Sequence, residues 1–400
     1  MEAQRLPRTQ RIFLFLIGFI ANTLFIGALT ASNASFAAET ELPTPPQLAA
    51  SSWILIEPSS GQVLVEHNAD EQLPPASLTK MMTSYVAADK IKEGLAGWDD
   101  EVLVSEKAWR MGGSKMFIRV GTQVKIRDLM RGIIIQSGND ASVALAEHIA
   151  GSEESFADLM NQTAKRIGMT HTHYVNATGL PDPSHYTTAR DLAILAQHVI
   201  FDHPEDYELY SEKEFLYNNI KQPNRNLLLW RDNSVDGIKT GHTKEAGYCL
   251  VASAKRDGMR LVAVVMNTNS EKARASETMK LLTYGFRFYE NVRSYSAGEV
   301  LAAPEIWFGS TPTVKLGLDK DLVLTIPRGT QQDVKAELDY KPLELKAPIA
   351  KGQQLGVIRV RVKDKVISET PLVALEPVEE AGFIKKLWHH LLLFVKGLFS

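Results

Sequence analysis

The sequence predicts an α+β protein in three parts. A mixed domain spans residues 51–295, a small β-sandwich-like domain spans residues 296–378, and an amphipathic helix covers residues 379–400. Three observations carry this. Hairpin-like strand pairs bracket a helical middle, a strand-rich run with turn residues follows it, and the final segment divides into one apolar and one basic half.

The chain opens with Arg5, Arg8 and Arg11, followed by an apolar stretch from Ile12 to Leu29 and then Ser35-Phe36-Ala37-Ala38. A basic region, an apolar run and small residues at a cleavage point describe a secretory signal, here residues 1–37. An uncleaved anchor competes with this, because the apolar run is almost long enough to span a bilayer. Residues 38–50 are rich in Pro and Ala and read as a linker.

Ser52-Trp53-Ile54-Leu55-Ile56 and Gln62-Val63-Leu64-Val65-Glu66 are strand-like, joined across Ser59-Ser60-Gly61, which is a hairpin signal. Pro74-Pro75 stops the chain, and Ala76-Ser77 opens a helical stretch through Ala88. A second helical region covers residues 122–150, interrupted at Ser137-Gly138-Asn139, and a third runs over 186–200. Residues 236–267 read as two strands, Gly247–Ala254 and Arg260–Asn267, turning at Arg256-Asp257-Gly258. Residues 271–290 return to helix. Beyond them, Thr313–Leu316, Leu322–Ile326 and Gln354–Val360 are strand-like.

In the tail, Phe383, Ile384, Leu387, Trp388, Leu391, Leu392, Phe394, Val395, Leu398 and Phe399 fall on one half of a helical wheel. Lys385, Lys386, His389, His390 and Lys396 fall on the other, and only Leu393 breaks the split. A wide apolar face with basic flanks suits a helix lying in a membrane interface. Docking on the β domain is the competing expectation.

Composition narrows the chemistry. The chain is 44% hydrophobic and 23% charged, with a formal net charge of −3 and a pI near 6.4. No basic excess points to nucleic acid. Cys249, the single cysteine, sits in an apolar run and reads as a buried thiol. His171 and His173 lack further partners at ligand spacing and read as a surface pair, so no metal and no organic cofactor is expected.

Three short motifs occur in order: Ser77-Leu78-Thr79-Lys80, Ser137-Gly138-Asn139 and Lys239-Thr240-Gly241. Each alone is weak. Together they suit covalent serine chemistry. Residues three apart share a helix face, so Lys80 can reach the Ser77 hydroxyl. A serine is a poor nucleophile until a base takes its proton. A lysine serves as that base when burial and a neighbouring cation such as Lys239 bring its pKa down towards neutrality. Ser137 can relay a proton to a leaving amine, and Asn139 can hold both a substrate amide and Lys80. The Lys-Thr-Gly run reads as the head of a strand, where Lys239 and Thr240 offer a cation and a hydroxyl to a carboxylate. Gly241 leaves room for a ligand against the backbone.

With these runs the chain resembles a low-molecular-mass penicillin-binding protein, a D-alanyl-D-alanine carboxypeptidase of the class 5/6 type. The resemblance extends to Pro75–Val86, Gln136–Ala141, Val235–Thr243, Pro223–Asn226 and Leu281–Phe288. It implies a β-lactamase/transpeptidase-like catalytic domain, an antiparallel sheet with a helical cluster. It implies Ser77 as acyl-ester nucleophile, Lys80 as base, and Ser137 and Asn139 as relay and positioning groups. Lys239, Thr240, Gly241 and His242 are implied on the substrate-carboxylate side, with Arg225 and Arg274 near the rim. Backbone N–H groups of Ser77 and His242 would form the oxyanion hole. The implied partners are peptidoglycan stem peptides, β-lactams and the periplasmic face of the inner membrane. A serine β-lactamase or an endopeptidase of the same fold is the alternative. Against the lactamase, residues 174–183 contain no glutamate to activate a deacylating water.

Overall fold

The structure, a computed structural model, describes residues 42–341 and 345–398, with side chains as far as residue 392. The expected signal segment lies outside the described residues.

Continuous apolar runs build the central sheet. Its five strands are all antiparallel, in the order Gln62–His67, Ser52–Glu57, Met259–Thr268, Gly247–Arg256 and Val235–Thr243. Successive side chains point to opposite faces, and here both faces are covered. Ile54, Ile56, Val251, Val262 and Val264 enter a large core shared with the helical middle. Trp53, Leu55, Leu250, Leu261 and Val265 enter a second core under the helix Glu271–Phe288.

The helical middle contains Thr79–Lys92, Asn139–Ala150, Glu153–Arg166 and Ala189–Phe201. Ser152, Thr188 and Ser270 each cap a helix, their side chains accepting from Ser155 N, Asp191 N and Ala273 N. The first ten residues of Thr79–Lys92 are all buried. A helix enclosed on every side presents no apolar stripe, and Lys80 lies in it as part of the domain interior.

Four expectations are corrected. The third motif does not head its strand: Lys239 is well inside Val235–Thr243, the edge strand of the sheet. The helix Glu153–Arg166 occupies a stretch to which the sequence reading assigned no element. The helix after residue 270 ends at Phe288, and Tyr289–Tyr295 is a strand pairing with Leu322–Pro327. The all-β part therefore takes up the chain at Tyr289 and not at residue 296. Finally, the described part of the linker is packed. Tyr284 Oη donates to Pro43 O over 2.8 Å, Ala49 N donates to Glu277 Oε2 over 3.2 Å, and Leu48 and Ala50 join the second core. Their apolar side chains find a partner in the helix Glu271–Phe288.

The C-terminal domain pairs that two-stranded sheet with a five-stranded one, ordered Val300–Ala302, Leu316–Gly317, Lys365–Ala374, Gln354–Val362 and Val334–Tyr340. Leu324 and Ile326 from one sheet meet Ile358, Val360 and Val362 from the other in a sandwich core. The tail is the helix Phe383–Leu398.

Candidate active site

The three motifs converge on one cavity of about 460 Å³, lined by Ser77, Ser137, Asn139, Thr240, Gly241 and His242 among others. Ser77 lies in the tight turn Ala76–Leu78 that leads into the helix Thr79–Lys92. One turn on, Lys80 is 0% exposed, and its Nζ stands 3.2 Å from Ser77 Oγ. Nζ also donates to Asn139 Oδ1 over 2.7 Å and to the carbonyl of Thr178 over 2.5 Å. A neutral amine has two N–H donors and one lone pair. Asn139 and Thr178 take the donors, which leaves the lone pair for the Ser77 hydroxyl.

The electrostatics favour that neutral form. Burial pushes the Lys80 amine down to about 7, with help from the Arg225 guanidinium and against the carboxylates of Asp140 and Glu153. Lys239, 3% exposed, is held well below the ordinary lysine range by burial first and then by the positive charges of Lys80, Arg225 and Arg274. Its Nζ donates to Ser137 Oγ over 3.0 Å and to Thr240 O over 3.2 Å. The chain of groups Lys239–Ser137 thus stands beside Lys80–Ser77 in one pocket.

Ser137 owes its position to a left-handed backbone. It closes the wide helical turn Gly132–Gln136 with φ 64°, a conformation uncommon for residues other than glycine and frequent at functional sites. Asn139 is fixed at both ends, its N–H donating to Ser114 O and its Nδ2 to Gly112 O, each over 2.7 Å.

Gly241 has a role different from the expected one. A Cβ there would lie 2.9 Å from Pro75 O and 3.1 Å from Leu78 Cγ. Its missing side chain admits the turn that carries Ser77, not a ligand. This close approach brings Ser77 and His242 into one cavity wall. Gly179, opposite, has φ +82°, and a Cβ there would clash with Ala76 O at 1.8 Å.

The two arginines separate. Arg225 is exposed at the rim and donates to Ser114 Oγ over 2.8 Å. Arg274, also lining the cavity, is buried and already engaged: it donates to Gly241 O over 3.3 Å and pairs with Glu271 at 2.8 Å. Its geometry is that of a brace for the edge strand. His242 is exposed and stacks on Tyr248 with ring centroids 3.9 Å apart.

Sequence reasoning missed the contributions of Ser114, Asp140, Thr178 and Glu271. Thr178 acts through a carbonyl, which no residue type advertises. Asp140 directly follows the second motif, and Gly112-Gly113-Ser114 reads as a turn, but neither signals that the two meet. The expected loop, residues 174–183, forms one wall through Thr178, Gly179 and Leu180. Glu153 reaches that loop from below, accepting from Ala177 N and pairing with Lys107, and it does not line the cavity. Cys249 is fully buried, and burial raises its thiol to about 11. Among the described residues no group of His, Cys, Asp or Glu stands together as metal ligands would.

Comparison with known proteins agrees with this arrangement. Residues 39–270 match the family described as D-alanyl-D-alanine carboxypeptidase, and residues 289–380 match the C-terminal domain of penicillin-binding protein 5. The D-alanyl-D-alanine carboxypeptidase DacA of Haemophilus influenzae is 44% identical over 400 residues, covering 99% of this chain and 100% of that protein. The corresponding DacA of Escherichia coli is 45% identical, covering 92% of this chain and 94% of that protein. The crystal structure of penicillin binding protein 5 from Haemophilus influenzae superposes with a TM-score of 0.81 at 44% identity, covering 84% of this chain and all of that one. The chain belongs to the D-alanyl-D-alanine carboxypeptidase family of penicillin-binding proteins.

Proposed function

We propose that the chain is a serine-type carboxypeptidase that removes the terminal D-alanine from peptidoglycan pentapeptide stems through an acyl-enzyme on Ser77. The observation that carries this is the Lys80 amine, depressed to about 7 and placed 3.2 Å from Ser77 Oγ with both its N–H donors already engaged.

The geometry supports the following course of reaction. The substrate carboxylate sits towards Thr240, with the Lys239 amine behind it and the Arg225 guanidinium at the rim. Lys80 takes the Ser77 proton as Oγ attacks the penultimate carbonyl carbon. The oxyanion is held by backbone N–H groups of Ser77 and His242. The proton taken by Lys80 passes through Ser137 to the D-alanine nitrogen as the C–N bond breaks, and Asn139 keeps the amide in line. Water then attacks the ester, Lys80 takes the water proton, and that proton returns to Ser77 Oγ as the acyl C–O bond breaks. A β-lactam acylates the same oxygen, but its amine stays tethered to the acyl group. No glutamate in residues 174–183 is available to activate water against that ester, which favours a peptidase over a lactamase.

The reading extends to location. The basic and apolar N-terminus fits an export signal, which would place the enzyme in the periplasm. Among the described residues no helix is long and apolar enough to cross a membrane. The tail helix exposes Phe383, Ile384, Leu387, Trp388 and Leu391, and such a face fits the acyl boundary of the inner membrane.

Ser77→Ala tests the proposal. Labelling by fluorescent penicillin and release of D-alanine from a stem pentapeptide should both fall by about a thousandfold or more, with the melting temperature kept. In the unmodified enzyme the penicilloyl label should outlast a chase of several minutes. Labelling of Ser77→Ala at the normal rate would move the nucleophile elsewhere, and rapid turnover of benzylpenicillin would favour the lactamase.

A further inference from the structure

Asp140 lies outside the three motifs and does not line the cavity, yet its carboxylate is among the most heavily engaged groups of the domain. It is 1% exposed. Oδ1 accepts from Met116 N over 2.8 Å and from Ala141 N over 2.9 Å. Oδ2 accepts from Phe117 N over 2.8 Å and from Ile118 N over 3.2 Å. Three of these donors are consecutive backbone N–H groups of a segment that forms no helix or strand. Phe117, at the middle of the three, has φ 69°. Without an acceptor, those buried donors would be left unsatisfied, at a cost of about 1–3 kcal/mol each.

The same segment supplies the wall of the active site. Gly112 O and Ser114 O hold the side chain and backbone of Asn139, and Ser114 Oγ holds Arg225. Asn139 in turn accepts from Lys80. Gln222 Nε2 donates to Met116 O over 3.0 Å and ties the segment to the strand Ile220–Pro223. Hydrogen bonds from Asp140 to residues 116–118, the backbone between them and residues 112–114, and hydrogen bonds from there to Asn139 therefore connect Asp140 to Lys80.

We propose that Asp140 is a positioning residue: it gathers the N–H groups of Met116, Phe117 and Ile118 so that Gly112 and Ser114 hold Asn139, and through it Lys80, in reacting geometry. This deepens the acyl-enzyme reading above and rests on it. Asp140 touches neither substrate nor Ser77. Beyond its charge, which works against the depression of the Lys80 amine, its effect reaches the reaction through where Asn139 stands, and a misplacement of that group is costly because reacting atoms must be aligned closely.

The test compares Asp140→Asn with Leu195→Ala, a change in the same core on the helix Ala189–Phe201 and away from the cavity. Asp140→Asn keeps the shape but turns one acceptor oxygen into a donor facing N–H groups. Three quantities are measured in the full chain: the rate of acylation by benzylpenicillin, the KM and kcat for a stem pentapeptide, and tryptic cutting at Lys115–Met116. For Asp140→Asn, acylation and kcat should fall at least about tenfold, KM should change less than threefold, and cutting should accelerate at least tenfold. Leu195→Ala, compared at an equal distance below its own melting temperature, should acylate within twofold of the unmodified enzyme. Asp140→Ser, which keeps one acceptor, should fall between the two. The proposal is overturned if Asp140→Asn acylates within twofold of the unmodified enzyme, if Lys115 stays protected, or if Leu195→Ala loses as much. Failure of both Asp140 variants to fold would make the residue a fold determinant and overturn the proposal as well. An unmodified protein that takes no penicillin label would overturn the acyl-enzyme reading itself, and this proposal with it.

Discussion

The active-site lysines of the peptidase domain and the surface of the C-terminal domain treat charge in opposite ways. In the peptidase domain Lys80 and Lys239 are buried and meet only hydroxyl, amide and carbonyl oxygens. In the C-terminal domain, charges stand on the surface and pair across strands. Arg359 bridges Asp339 and Glu369, Lys315 meets Glu376, and Arg293 meets Asp321. A surface pair is worth little, because water screens both partners. A buried amine without a carboxylate partner is costly, and the cheapest response is to lose its proton. The first arrangement makes a base, and the second adds only modestly to stability. The difference teaches that reactivity in this chain comes from withholding a counter-ion.

The sharpest way to break that comparison is Lys80→Met. It should lower acylation about a hundredfold to ten-thousandfold, the range expected for loss of a general base. In the unmodified enzyme only the neutral amine accepts the Ser77 proton, so the acylation rate should rise with pH through a limb near 7 and then level. The stability effect has a definite sign. The folded amine titrates near 7 and the unfolded one near 10.5, so between those values the unfolded chain binds more protons and stability rises with pH. The penalty is full below about 7 and disappears above the unfolded value. Between pH 7 and 9 the unmodified enzyme should therefore gain about 2 kcal/mol relative to Lys80→Met, as read by urea unfolding at each pH. A constant difference across that window would mean that the folded amine is not depressed.

Arg359→Ala probes the other side. It removes two cross-strand pairs at once, yet the melting temperature should drop by less than about 3 °C, and acylation should not change. A loss of activity would show that the sandwich transmits strain to the site and would void the contrast.

Legibility followed the same division. The apolar runs in Ser52–Ile56 and in Arg260–Asn267 were enough to read strands of two hairpins, because short apolar runs bounded by turn residues suit a sheet buried on both faces. The motif trio singled out Ser77, Lys80, Ser137 and Lys239, whose side chains the fold brings together at one cavity. What escaped was work done by the backbone. Thr178 contributes a carbonyl, Gly112 and Ser114 contribute carbonyls, and Met116–Ile118 contribute N–H groups. Any residue type supplies those, so no pattern reports them. Gly241 was seen as special but given the wrong neighbour, because a missing Cβ shows that something lies close without saying what. The strand Tyr289–Tyr295 escaped for a further reason: its apolar and aromatic residues continue the pattern of the preceding helix, and only its pairing with Leu322–Pro327 separates the two.

The smallest effect on catalysis is expected from removing the tail. Phe308 N donates to His389 Nδ1 over 2.7 Å, Lys385 Nζ donates to Ser310 O over 3.2 Å, and His390 packs on Phe308 at 4.5 Å. The helix thus touches the β domain through its polar half. Phe383 and Ile384 remain 81% and 84% exposed. A helix docked merely for stability would bury the apolar half, since that is where the free energy of burial lies. Its reversed orientation instead leaves the apolar face exposed, as the proposed membrane contact requires. Deleting residues from Phe383 onward should move the mature enzyme from the membrane fraction to the soluble one, while hydrolysis of short soluble peptides stays within twofold. Ile384→Asp should weaken retention on anionic vesicles with no shift in melting temperature, because the side chain touches little else. A truncated enzyme that stays with the membrane after signal cleavage would put the anchor elsewhere. A truncated enzyme that loses peptidase activity would make the helix part of the fold and end the separation of roles between the two domains.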